Sequence, residues 1–212
     1  MKILIVVLSC HKNSNRWPKI KEKLNGNGII FCGGDRDSSY DKYNNILQLK
    51  CNDYYEGLPE KVICMIDQIL KLPIFDNVTH IFKIDDYDYI RNNVLTQRNI
   101  DDIYKLDTIL KNDYVGGQVL YGKGDTKWHF NKVTKNSYWD DREYVGEYVP
   151  WCGGGYGYVL SINAMKIINA HHNTTNLDEI SQNDIYEDLM IAKILKRNGN
   201  INPVRLNYSV GL

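Results

Sequence analysis

The sequence has no excess of either charge. Among its 212 residues, Lys and Arg together number 26, and Asp and Glu also number 26, so the formal net charge is zero. Proteins that bind nucleic acid or membrane surfaces usually carry a basic patch or stripe. This balance gives no electrostatic reason to expect either partner, and we predict no nucleic-acid partner.

The sequence also lacks paired cysteines. The five cysteines are odd in number and scattered, and none of them belongs to a CxxC pair. Disulfide frameworks and zinc sites use even, closely spaced sets of cysteines, so this pattern favours a reduced protein. The sequence therefore predicts an intracellular, cytoplasmic setting.

No hydrophobic run is long enough to cross a bilayer. The apolar start, Ile3–Leu8, is far shorter than a membrane-spanning helix. The polar and basic residues Ser9 to Lys12 follow it where a signal peptide would carry a cleavage site. We predict no membrane span and interpret the start as a buried first strand.

Apolar periodicity predicts strands that alternate with helices. Short β-branched or apolar runs predict strands, and Pro59–Leu72 shows helical spacing closed by Pro73. Such alternation predicts an α/β fold around a mainly parallel sheet in one domain. The predicted strands are Ile3–Leu8, Gly28–Cys32, Ile46–Cys51, Thr79–Ile84, Tyr114–Tyr121 and Ile201–Leu206.

Three carboxylates follow the fourth predicted strand. Asp85, Asp86 and Asp88 lie where ligands bind in open α/β sheets, beyond the carboxyl end of a strand. In an extended chain Asp86 and Asp88 would share a face, with roots roughly 7 Å apart, and Asp85 would point the other way. Oxygen ligands without nearby thiolate or imidazole suit Mg²⁺ or Mn²⁺, and the alternative is a solvated acidic turn.

A second acidic pair begins the last predicted helix. Asp184 and Glu187 have capping-box spacing, so we predict a structural role for Glu187. Asp188 falls within the apolar stripe of that helix, and a carboxylate turned inward needs a partner or a task. It is either a general base or a group bound to backbone amides at the helix N-terminus.

A glycine-rich loop (residues 153–157) and a long polar segment (residues 121–150) lie between these acidic groups. Gly154 and Gly155 permit close approach of backbone to a nucleotide-sugar, or form a tight turn. Trp151 and Tyr156 beside them could line the sugar site. Trp128, in the long segment, could form an acceptor platform or pin that segment in place.

Five pieces of the sequence, in order, resemble the β-3-glycosyltransferase and Fringe group of GT-A glycosyltransferases. They are Arg16-Trp17, Asp53–Lys61 (DYYEGLPEK), Phe82–Asp88 (FKIDDYD), Trp151–Ser161 (WCGGGYGYVLS) and Tyr186–Leu189 (YEDL). The resemblance covers most of the chain and implies a GT-A fold. It implies a nucleotide-binding half at about 1–90 and an acceptor-binding half at about 91–212.

The resemblance implies an inverting transfer of a sugar from a UDP-sugar to a carbohydrate acceptor, usually with Mn²⁺. Asp88 would bind the metal, Asp86 the ribose or a metal-bound water, and Asp188 would be the base. The nucleotide pocket would include Ser9, Lys12, Arg16, Asp35, Tyr55 and Lys61. The usage of Asn, Lys, Ile and Tyr also resembles capsid-glycosylating domains of large algal viruses.

The sequence departs from the family pattern in two places. Tyr87 interrupts the triple Asp motif, and no His follows His172 to serve as the late metal ligand common in GT-A chains. The ion would then depend on Asp88, the diphosphate and water.

Two other functions remain open. A nucleotidyltransferase would need a glycine-rich phosphate loop after the first strand, but Ser9 to Lys12 contains no glycine. A non-catalytic carbohydrate-binding domain would tolerate loss of Asp88 or Asp188, yet both acids are present.

Overall fold

The computed structural model describes residues 3–91, 103–172 and 176–206. They form an α/β fold with helices on both faces of an eight-stranded sheet, ordered β10-β6-β9-β5-β1-β2-β4-β3. The strands are β1 (Ile3–Leu8), β2 (Gly28–Cys32), β3 (Ser39–Asp41), β4 (Ile46–Gln48), β5 (His80–Asp85), β6 (Tyr114–Gly116), β7 (Val119–Leu120), β8 (Trp151–Cys152), β9 (Tyr158–Ser161) and β10 (Val204–Arg205). β7 and β8 pair separately.

The central strands are parallel and buried on both faces. β1 pairs in parallel with β2 and β5, whereas β9 is antiparallel to both β5 and β6. Along β1, Leu4 and Val6 belong to one core cluster, and Ile5 and Val7 belong to the other. Alternate side chains therefore serve opposite helical layers, which explains why this strand is apolar throughout.

Helices cover the two faces unequally. The helices are α1 (Trp17–Leu24), α2 (Leu58–Lys71), α3 (Asp86–Arg91), α4 (Ile103–Lys111), α5 (Ile162–His172), α6 (Leu177–Asn183) and α7 (Glu187–Gly199). The larger core cluster contains buried residues of α2, α5, α6 and α7, and the smaller one contains residues of α1, α3 and α4. The α/β class and its mainly parallel sheet are confirmed.

Several element boundaries follow the sequence signals closely. β1 and β2 have the predicted bounds, and α2 differs from its predicted range by one residue at each end. Ser161 caps α5, because its hydroxyl oxygen accepts the backbone N–H of Ala164 at 3.1 Å.

Other boundaries differ from the predictions. Residues 11–16 form 3₁₀ turns, and Arg16 precedes α1 without a side-chain cap, so this helix begins without the usual N-cap residue. The third predicted strand stops at Gln48, and the exposed edge strand β3 was missed because its Ser-Tyr-Asp sequence has little apolar character.

The second half contains further differences. The predicted strand Tyr114–Tyr121 divides into β6 and β7, which join different sheets, and the last strand shortens to Val204–Arg205. In the described residues, no helix combines the length and apolar character that a membrane span requires.

A glycine at the end of the glycine-rich loop fixes a close approach between that loop and β5. Gly157 has φ 73° and ψ 156°, a region that is essentially restricted to glycine. A Cβ atom at this position would lie 2.5 Å from the Phe82 ring. The loop can therefore pack on β5 only with glycine here.

We expect Gly157→Ala to lower the free energy of unfolding by about 3–5 kcal/mol, because backbone strain and overpacking add. Gly26→Ala is a matched control, since Gly26 also has a positive φ of 79° but no atom within 4 Å of the added Cβ. That control should lose about 1 kcal/mol. Urea unfolding measures both, and equal losses would contradict the packing argument.

Candidate functional site

Two adjoining cavities lie at the carboxyl-terminal edge of the sheet. The first has a volume of about 1070 Å³ and lies beyond the ends of β1, β2 and β5. The second, of about 640 Å³, lies between the glycine-rich loop, the start of α7 and the long segment, which comprises residues 121–150. The residues that line both cavities are Tyr55, Leu58, Asp85, Asp88 and Lys132. This edge is where open α/β sheets bind ligands.

The chain turns into a helix within the acidic motif, so the predicted geometry of Asp86 and Asp88 is wrong. β5 ends at Asp85, and Asp86 is the first residue of α3. Residues two positions apart on a helix differ by about 200° around its axis, so the side chains of Asp86 and Asp88 do not share a face.

Asp86 is buried and bound by protein donors. Its carboxylate accepts hydrogen bonds from Ser9 Oγ at 2.8 Å and Asn13 Nδ2 at 3.1 Å. The Arg16 guanidinium donates to the other carboxylate oxygen at 2.8 Å. Asp86 is 5% exposed. Three of the predicted nucleotide-site residues, Ser9, Arg16 and Asp86, therefore form one network in which the Asp86 carboxylate already has three donors.

Asp85 and Asp88 border both cavities, whereas Asp86 borders only the first. Two carboxylates, with phosphate and water oxygens, make a ligand set that fits a hard divalent cation. Within the three described ranges, the group of three potential ligands whose atoms converge within 4.8 Å is Cys51, Glu60 and Cys64, away from the acidic motif. Any ion at the motif would thus need ligands from substrate or water.

Asp53 and Lys61 hold together the loops that form the first cavity. Asp53 accepts the backbone N–H groups of His11 and Gly33, each at 2.7 Å, and pairs with Lys61 at 2.7 Å. The Lys61 ammonium also donates to the carbonyl of Ser9 at 3.1 Å and is 1% exposed. Lys61 therefore supports the predicted pocket from beneath, and its charge is offset by Asp53.

Lys83 is a buried cation beneath the junction of the cavities. Its ammonium pairs with Asp85 at 2.7 Å and with Glu187 at the start of α7. Tyr158 also donates its hydroxyl to Glu187 at 2.8 Å. Burial alone lowers the pKa of Lys83, but the two carboxylates outweigh it and raise that pKa above its usual value.

The pairing of Glu187 corrects the predicted capping box. α7 begins at Glu187 rather than at Asp184, and Tyr186 precedes it without a side-chain cap. Asp184 is buried and instead pairs with Lys193 and accepts the Tyr144 hydroxyl at 3.1 Å. The spacing of the two acids is that of a capping box, but in the structure each acid pairs with a buried lysine. Glu187 pairs with Lys83, and Asp184 pairs with Lys193.

Asp188 reaches the wall of the second cavity. Its carboxylate accepts the backbone N–H of Gly154 at 2.9 Å and that of Leu189 at 2.8 Å. Burial raises the pKa of Asp188 above its usual value, while the Gly154 hydrogen bond acts in the opposite direction. The backbone-amide contacts predicted as one alternative are present, and Asp188 also borders the second cavity.

The glycine-rich loop packs directly on the carboxylates of Glu187 and Asp88. A Cβ at Gly154 would lie 2.9 Å from Glu187 Oε1, and one at Gly155 would lie 3.1 Å from Asp88 Oδ2. Both glycines border the second cavity. Their small size lets the loop bring β9, α3 and α7 together around one space.

The geometry agrees with the comparison to known families. The model of the Galactosyltransferase family matches residues 36–206, which is well over half of the chain. The chain belongs to the galactosyltransferase family. It is therefore a glycosyltransferase with a GT-A fold, as the motif order predicted. No curated protein gives a significant match to the sequence.

The family match begins after β2, so the earlier site residues depend on geometry alone. Lys12 and Asp35 are exposed and border the first cavity. Tyr55 borders both cavities, and burial raises its pKa. Arg16 contacts the site through Asp86.

The predicted acceptor residues all border the second cavity. Trp151 is buried, whereas Tyr156 and Trp128 are 42% and 62% exposed. In the long segment it is Trp139 that serves as an anchor, donating its indole N–H to the Ser181 carbonyl at 2.6 Å.

Sequence reasoning missed four site residues of this glycosyltransferase. Lys83, Asp85 and Asp53 were in quoted motifs, and their signal was a charge within or beside an apolar run, where burial requires a partner. Lys132 lies in a segment without periodicity and gave no comparable signal.

We expect Lys83→Met to lower the free energy of unfolding by about 3–5 kcal/mol, because it leaves buried acids without their counter-ion. Lys111→Met is the control: Lys111 pairs with Asp107, and these side chains are 70% and 56% exposed. That change should cost less than about 1 kcal/mol. Denaturant unfolding compares them, and similar losses would show that the Lys83 pairs contribute little.

Proposed function

We propose that this galactosyltransferase-family protein transfers a sugar from a UDP-sugar to a carbohydrate hydroxyl with inversion, and that it requires Mn²⁺ or Mg²⁺. One observation carries the proposal: the Asp188 carboxylate lies on the wall of the second cavity, and Asp85 and Asp88 border both cavities. A donor in the first cavity would present its sugar to a base in the second.

The first cavity supports the nucleotide part of the proposal. It is lined by the predicted residues Ser9, Lys12, Asp35, Tyr55 and Lys61, which follow or face the ends of the parallel strands. The exposed Asp35 carboxylate could accept a hydrogen bond from the base. Asp86 would act indirectly, by holding the turn after β1 in position.

Asp88, together with the carboxylate oxygen of Asp85 that does not pair with Lys83, is the ligand set that we propose for the cation. This revises the predicted pair of Asp88 and Asp86, because the protein donors around Asp86 already bind both of its oxygens. A bound Mn²⁺ or Mg²⁺ supplies positive charge that offsets the charge of the diphosphate.

Asp188 would remove the proton of the acceptor hydroxyl. As the acceptor oxygen forms a bond to the anomeric carbon, the bond from that carbon to the diphosphate oxygen breaks and UDP leaves. The proton stays on Asp188 until it passes to water. Glu187 is less suited to this task, since Lys83 and Tyr158 occupy its carboxylate.

Trp151, Tyr156 and Trp128 would form apolar walls for the acceptor, because aromatic faces of this kind pack against sugar rings. Gly154 and Gly155 would lie against the donor sugar. Among carbohydrate acceptors, the more specific proposal is a capsid glycan. This choice rests on the resemblance between the amino-acid usage of this chain and that of viral enzymes. The cytoplasmic location stays a prediction from the cysteine pattern.

We expect UDP with MnCl₂ to raise the thermal unfolding midpoint, because a ligand that binds the folded state stabilises it. A free UDP concentration of about 100 times its dissociation constant should raise the free energy of unfolding by about 2.7 kcal/mol. EDTA should remove most of the effect, and Asp88→Asn should remove the metal dependence. Asp107→Asn serves as the control, because Asp107 is an exposed residue of α4.

No shift of wild-type protein with any nucleotide would favour a non-catalytic carbohydrate-binding domain. A shift with UTP and a sugar 1-phosphate, together with release of pyrophosphate, would favour the nucleotidyltransferase alternative.

We expect Asp188→Asn to reduce kcat for sugar transfer by about 10²–10⁴-fold while the dissociation constant for UDP stays the same, since only proton removal is lost. Transfer by the wild type should also fall as pH decreases through the raised pKa of Asp188, because the protonated acid cannot accept a proton.

The midpoint of this acidic limb should lie above 3.8, the ordinary value for Asp. Normal transfer by Asp188→Asn, measured by product formation, would exclude Asp188 as the base. A limb centred at or below 3.8 would exclude the raised pKa.

A further inference from the structure

Lys132 occupies a distinctive place in the site. It lies in the long segment and is the one basic residue among the five residues that border both cavities within the described part of the chain. In the proposed function the diphosphate must lie at this junction, because it joins the nucleotide in one cavity to the sugar in the other.

Aromatic rings hold the Lys132 ammonium rather than carboxylates. The ammonium lies 3.6 Å from the centroid of the Trp128 ring and 5.6 Å from that of Tyr55. A cation over a ring is positioned by the quadrupole, and its N–H groups still lack acceptors. No carboxylate lies within ion-pair distance among the described residues, so its charge is available to an anion.

Lys132 is exposed, whereas the buried lysines of the site already have ionic partners. Lys61 pairs with Asp53, and Lys83 pairs with Asp85 and Glu187. Their charges are already offset inside the protein. Partial burial lowers the pKa of Lys132, and the charge of Asp125, which acts in the opposite direction, does not offset that effect.

The long segment is tied to the nucleotide side near Lys132. The backbone N–H of Thr134 donates to the Glu56 carboxylate at 3.1 Å, and Glu56 precedes α2. This contact and the Tyr55 ring place the part of the long segment that carries Lys132 against the turn before α2.

We propose that Lys132 binds the diphosphate of the donor and of the departing UDP. It would add positive charge at the junction that the proposed cation ligands Asp85 and Asp88 also border. The inference rests on the proposed function, because it assumes that the donor carries a diphosphate. Lys132 would act by charge and hydrogen bonding alone and would transfer no proton.

The alternative is that Lys132 only pins the long segment by stacking on Trp128. Both roles predict some loss in a variant without the ammonium, so the ligand must distinguish them. A packing role would affect uridine and UDP equally, whereas a diphosphate role would affect only the phosphate-bearing ligand.

The test is calorimetric titration of the whole chain with UDP and with uridine, in MnCl₂. We expect Lys132→Met to weaken UDP binding by about 10- to 100-fold, as loss of a hydrogen bond to a charged group predicts. The affinity for uridine should change by less than about twofold, because free-energy effects at sites that share no contact are nearly additive. Lys132→Arg keeps the charge and should restore most of the UDP affinity.

Lys135→Met is the matched control, because Lys135 is exposed in the same segment and borders neither cavity. It should bind both ligands like the wild type. Unchanged UDP affinity in Lys132→Met, or an equal loss for uridine, would overturn the role of Lys132 and leave the proposed function intact. Failure of the wild type itself to bind UDP would overturn both.

Discussion

The fully buried ammonium of Lys83 is the constraint around which the site is built. It lies on β5, and its charge is compensated by Asp85 on the same strand and Glu187 on α7. An isolated charge in this position would be very costly, so strand and helix must meet here. Because Asp188 directly follows Glu187, the same contact sets where the proposed base lies. Structural stability and the geometry of the second cavity therefore depend on one cation.

The three acids of the motif have separate tasks because the chain changes from strand to helix between them. Asp85 ends the strand and pairs with Lys83. Asp86, the first residue of α3, binds Ser9 and Arg16. Asp88 lies two residues further along α3, against Gly155. An extended motif would have placed two of them side by side. The helix instead leaves Asp85 and Asp88 at the junction and uses Asp86 to anchor the turn after β1.

Local sequence signals predicted the elements whose burial follows a regular pattern, which is continuous in β1 and β2 and periodic in α2. β1, β2 and α2 were predicted within a residue, because their apolar periodicity reports the layers that cover them. The signals failed where tertiary contacts outweighed them. Edge strand β3 has too little apolar character, and the apparent capping box at Asp184 was overridden by Lys193.

The sequence by itself determined the α/β class and the family, because motif order and spacing are properties of the chain. The residues that it predicted for the site, except Arg16, border at least one of the two cavities. Only the tertiary structure decided which acids open into the cavities, and it alone brought Lys132 to their junction. The physical reason is that charge compensation and stacking act between residues far apart in sequence. Lys83 and Glu187, or Lys132 and Tyr55, leave no shared pattern in the linear chain.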